Sequence, residues 1–107
     1  MTGETSAAPV PTLVTYLAKP GQEEALRALV LAHWPALRRL GLATETKPLI
    51  WRATDKRSGR ISFVELFEWT NAEASDTAHQ TPEVMAIWEP MGAVMDGLEL
   101  KRVEPIA

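Results

Sequence analysis

The 107-residue sequence predicts an α+β fold of the split β-α-β kind, in the order β-α-β-β-α-α-β around a four-stranded antiparallel sheet. Three observations carry this expectation. A polar loop containing glycine, Asp55-Lys56-Arg57-Ser58-Gly59, separates two strand-like runs as a hairpin turn does. Apolar residues recur at helical spacing after an earlier strand-like run and after the second arm of this hairpin, which is the third such run in the chain. The third run is apolar on both sides, so both faces of its sheet need cover.

The first eleven residues, MTGETSAAPVP, have no periodicity and read as a flexible arm, which leaves 12–107 as one domain. Thr12 to Ala18 is rich in β-branched and aromatic types and stops at Lys19-Pro20-Gly21, so it forms the first strand. From Gln22 to Leu40, Leu26, Leu29, Val30, Leu37 and Leu40 share one helical face, with Glu23 and Glu24 in the first turn and Arg38 and Arg39 in the last. Gly41 supplies the stop. Pro35 removes one backbone donor inside this helix, which predicts a kink near Leu31 rather than two helices.

Lys47 to Thr54 and Arg60 to Trp69 are the second and third strands. In the third, Ile61, Phe63, Phe67 and Trp69 face one way and Val64 and Leu66 the other. Helices cover only one face, so the second face calls for another sheet and hence a homodimer. Thr70-Asn71-Ala72-Glu73 matches a capping box and Thr81-Pro82 a second helix start, followed by Val84, Trp88, Met91 and Met95 at helical spacing. Gly97 is expected to end that helix, and Leu98 to Val103 to form the fourth strand.

Composition removes several function classes. A net charge of -3, with no run of like charges longer than two, offers no basic stripe for nucleic acid. The absence of cysteine excludes disulfides, thiol catalysis and thiolate metal sites, and fits a reducing, cytoplasmic setting. No stretch approaches the roughly 18 consecutive apolar residues that cross a bilayer. With two histidines, no HxH or HExxH spacing and no glycine-rich phosphate loop, neither metal nor cofactor is expected.

The order of elements, with Glu68-Trp69, His79 and Thr81-Pro82 after the third strand, resembles the antibiotic-biosynthesis-monooxygenase-like family, whose ferredoxin-like protomers pair as dimeric α+β barrels. Members commonly carry a second histidine after that proline, where this chain has Glu83, and the interval from Trp69 to His79 is about one residue longer than the family's. The resemblance implies a pocket between sheet and helices, a homodimer, and reaction of an electron-rich phenol, quinol or polyketide-like molecule with dioxygen without flavin, haem or metal. Related haem-degrading members use an asparagine on the first strand. This chain has none there, which disfavours haem degradation.

His79 is the catalytic candidate, because a histidine beside a pocket moves protons near neutral pH, with a helix-capping histidine as the alternative. His33 shares the apolar face of the first helix and should point toward the sheet, which makes it a candidate to contact a ligand, with a partly buried histidine satisfied by a single hydrogen bond favoured over a catalytic role. Trp69, Trp88 and Trp51 are candidates to hold a flat aromatic ligand or to pack the core. Glu65 falls between Phe63 and Phe67, where burial would make it an acid or base, and pairing with Arg52 is the favoured expectation. The alternative to an oxygenase is a non-catalytic ligand-binding or stress-associated dimer of the same fold.

Overall fold

The computed structural model describes residues 8–107, and the first seven residues of the expected arm lie outside the described residues. The elements are β1 (Val10–Ala18), α1 (Glu23–Arg39), β2 (Leu49–Thr54), β3 (Ile61–Trp69), α2 (Ala74–His79), α3 (Pro82–Val94) and β4 (Met95–Arg102). All strand pairs are antiparallel, in the order β2-β3-β1-β4. The expected order of elements is therefore the observed one, and β1 and β3 lie together at the centre.

Three local expectations shift. β1 starts at Val10, inside the segment read as an arm, because Val10 and Pro11 pair with Trp69 and Glu68 and Pro11 accepts the Val103 N–H at 3.0 Å. A proline beside a strand's first residue is tolerated. The box at Thr70 does not form, since the Thr70 hydroxyl donates to the Gly41 carbonyl and Asn71 Oδ1 instead accepts the Glu73 N–H. Gly97 is no helix stop. Met95 pairs with Ala18 and Gly97 with Leu17, so the β1–β4 ladder claims residues whose spacing reads as helix.

α1 runs unbroken through Pro35. The carbonyl freed by Pro35 belongs to Leu31, whose side chain is 46% exposed, so it lies on the watered side of the helix. Leu26, Val30 and Leu37 face the other way onto Val14, Phe63 and Phe67 of the sheet. α3 packs mainly on α1 through Val84 and Met91 and reaches β4 only slightly. The inward side of β4 is therefore left partly open, with Leu98 and Leu100 at 47% and 64% exposure. Among the described residues, no helix is long and apolar enough to cross a membrane.

Fully buried Leu37 and exposed Leu31 sit on opposite sides of one helix, which gives a direct test of this packing. Leu37→Ala should lower unfolding free energy by about 2–5 kcal/mol in denaturant titrations, through lost transfer energy and a cavity. Leu31→Ala should stay within about 0.5 kcal/mol of the parent. Equal effects would contradict the helix orientation.

Candidate active site

β1 and β3 run side by side with Val14 opposite Glu65 and Tyr16 opposite Phe63. On a shared face, a residue also reaches the diagonal neighbour of its partner, so the Tyr16 ring extends to Glu65. Its hydroxyl donates to Glu65 Oε1 at 2.5 Å. α1 lies across these strands and lowers His33 onto the same carboxylate, with Nδ1 to Oε1 at 3.0 Å. Two donors converging on one oxygen bring the Tyr16 hydroxyl and His33 Nδ1 within 3.4 Å of each other.

Glu65 has no exposed surface and His33 is 3% exposed. With Nδ1–H donating to Glu65, Nε2 is the acceptor of the ring in its neutral form. Neither His33 Nε2 nor Glu65 Oε2 has a hydrogen-bond partner among the described residues. A buried carboxylate that holds and orients an imidazole through Nδ1–H, leaving Nε2 free, is the arrangement that prepares a histidine to act as a base. Burial, then the charge of Glu65 and the bond to it, hold the Tyr16 hydroxyl well above its ordinary pKa.

The expected pairing of Glu65 with Arg52 is not found. Ile50, not Arg52, stands opposite Glu65, and Arg52 lies at the exposed edge strand within 3.7 Å of Glu24. A guanidinium left in water carries no desolvation penalty, whereas Glu65 is sealed in by Tyr16 and His33.

Beside this cluster lies a cavity of about 260 Å³. β1 contributes Thr12, Val14 and Tyr16 to its wall, β3 contributes Phe67 and Trp69, and α1 contributes His33. Trp88 and Met91 of α3 close the far side, and Ser75 and His79 of α2 form a rim with Leu98 and Leu100 of β4. No Lys, Arg, Asp or Glu is among these lining residues. Phe67 and Trp69 meet edge to face at 5.0 Å, and Trp88 stands between the two histidines, 4.8 Å from His79 and 5.9 Å from His33.

His79 is exposed, and its Nδ1 lies 2.8 Å from the Ser75 carbonyl, so Nδ1–H donates and Nε2 is its acceptor. The structure thus brings His33, His79, Trp69 and Trp88 to one cavity and sets Glu65 behind His33. Trp51 is placed elsewhere: it pairs with Val64 on the outer face of the sheet, away from the helices. Among the described residues, no three His, Asp or Glu side chains gather as metal ligands do. Sequence reasoning passed over Tyr16. The signal was there, since Tyr16 and Glu65 are the polar tips on the inward faces of adjacent strands, and buried polar groups seek each other.

Tyr16 is the single tyrosine of the chain, so phenolate absorbance reports on it alone. Above its unfolded value of 10.0 the unfolded chain loses this proton while the folded chain keeps it. Stability is therefore intact below that pH and falls as pH rises beyond it. Phenolate absorbance should appear only together with alkaline unfolding, and Tyr16→Phe should flatten the alkaline loss. Ionisation of Tyr16 within a still-folded protein near pH 10.0 would contradict the cluster as described.

By sequence, the chain matches no family model and no curated protein. By structure it is similar to SnoaB, a cofactor-independent oxygenase from Streptomyces nogalater, with a TM-score of 0.68, 15% identity, and 91% and 94% of the two chains covered. It is similar to a structure described as antibiotic biosynthesis monooxygenase, with a TM-score of 0.68, 14% identity, and 92% and 99% covered. A dimeric protein of unknown function with a ferredoxin-like fold from Bacteroides fragilis also has a TM-score of 0.68, at 10% identity and 90% and 95% coverage. Identities this low speak for architecture alone. In architecture, this chain has the ferredoxin-like α+β fold of the antibiotic-biosynthesis-monooxygenase-like proteins.

Proposed function

We propose that the cavity binds a small hydroxylated aromatic molecule and that His33 serves as the base for its oxygenation by dioxygen, with no tightly bound cofactor. The observation that carries this reading is His33 itself: a lining residue of an uncharged aromatic cavity, buried, oriented by Glu65, and left with a buried and unpartnered Nε2. Removing the hydroxyl proton of a phenol makes an electron-rich phenolate that can itself give electrons to dioxygen. One oxygen atom becomes a new ring carbonyl, and the other leaves as water with the hydroxyl proton and the displaced ring hydrogen. Trp69 and Trp88 flank the ring and exclude water. Exposed His79 exchanges protons between the rim and solvent.

The second reading is a ligand-binding protein without turnover. It is favoured by one contact, the His79 Nδ1–H bond to Ser75 near the C-terminal end of α2, which is what a capping histidine makes.

Oxygen uptake with naphthol as the probe separates the two. His33→Ala and His33→Asn should each reduce uptake about a hundredfold, the scale expected for a positioned proton-transfer group. His79→Ala should reduce it less and shift its pH profile, and thermal melts on the same preparations should show folded protein. Uptake unchanged in both His33 variants would end the oxygenase reading and leave ligand binding alone.

The same reading includes a homodimer acting in the cytoplasm. Leu13, Leu17, Val64, Leu66, Leu49 and Trp51 form an apolar outer sheet face that no helix of the described residues covers, and Trp51 is 49% exposed on it. Two such faces packed together would bury it. Sedimentation at micromolar concentration should give about twice the 11.8 kDa chain mass, and Trp51→Glu should shift it towards the monomer. A monomeric parent would refute the pairing.

A further inference from the structure

We propose that the cavity discriminates by oxidation state: it retains an uncharged aromatic ring that carries a hydroxyl and releases the corresponding quinone. This rests on the hydroxylated-aromatic reading above and adds what the site accepts and what it rejects.

The argument begins with the direction of each hydrogen bond at the inner end. The Tyr16 proton is committed to Glu65 Oε1, the Thr12 hydroxyl to the Val10 carbonyl at 3.2 Å, and the His33 Nδ1 proton to Glu65. What His33 has left is a lone pair on Nε2, buried and unpartnered. An orphaned buried acceptor is relieved only by a group that donates, and a hydroxyl donates. A quinone or an aryl ether offers lone pairs only, so it would leave Nε2 unmatched whatever its oxygen gains elsewhere in the cavity. Sites built to bond a substrate hydroxyl reject analogues lacking it far more strongly than apolar pockets reject a missing methylene.

Charge narrows the class further. None of the lining residues is Lys, Arg, Asp or Glu, so a carboxylate or an ammonium ligand would lose its hydration without gaining a counter-ion. The neutral phenol is the form that enters. Oxidation then converts the donor that held the ligand into an acceptor, and the product loses its anchor in the same step that creates it.

The test is anaerobic calorimetry with naphthol, its methyl ether, naphthoquinone and naphthoate. Naphthol should bind about tenfold or more tightly than each of the other three, as expected for one recovered buried hydrogen bond. The variant His33→Phe should bring naphthol and its ether to equal affinity. Because that change strips Glu65 of a partner, the double variant His33→Phe with Glu65→Leu repeats the measurement in an apolar pocket and should give the same equality. Naphthoquinone or the ether binding as tightly as naphthol, or naphthoate binding more tightly, would overturn the proposal. Oxygen uptake on the same sample keeps the two readings apart. Selectivity without uptake supports this inference and defeats only the oxygenase, whereas uptake without selectivity defeats only this inference.

Discussion

Glu65 sets the terms for the rest of the molecule. A carboxylate removed from water is tolerated only where hydrogen bonds replace its hydration, and losing one partner of a buried charged group costs about 3–5 kcal/mol. Its partners come from two other elements, Tyr16 on β1 and His33 on α1, so the carboxylate is satisfied only when β1 has the right register and α1 lies at the right height. A one-residue slip of β1 would turn Tyr16 to the outer face. The polar cluster therefore selects one packing from among those that the apolar residues alone would accept.

The cavity follows from what the helices leave uncovered. α1 and α3 pack on each other over the centre of the sheet and barely reach β4. Rings as large as Trp69 and Trp88 fill part of the gap, and their geometry is edge to face rather than close-stacked, which leaves space beside them. The two histidines bracket Trp88 at different depths. The inner one is held by a buried carboxylate and the outer one by a backbone carbonyl.

The fold was legible because periodicity is a local property. Alternation in β1 and β3, the helical spacing from Leu26 to Leu37 and the glycine-bearing hairpin loop each announce themselves within about ten residues. Boundaries were less legible where long-range pairing decides, as at Gly97, which the β1 ladder takes from the preceding helix, and at Val10, which β3 recruits. His33, His79, Trp69 and Trp88 were legible as residue types worth attention. Their roles were not, because the partner of Glu65 is chosen by strand register and helix height, which bring Tyr16 and His33 closer than Arg52. Trp51 illustrates the converse: its alternation partner Val64 already marks the outer face, and composition alone suggested a ligand wall.

Leu98 and Leu100 belong to an edge strand that α3 barely reaches, so the β4 side of the cavity is its exposed side. On the proposed reading, a molecule longer than the enclosure would be held at one end while the remainder lay across the leucine surface. Such a site would gauge the terminal ring of a ligand and not its full length. Ring fit and reach along β4 are separate variables, and substitutions at Leu98 and Leu100 can retune tail preference without touching the histidines. Such a division would let one chemistry serve a graded series of molecules that share a head and differ in what trails behind it.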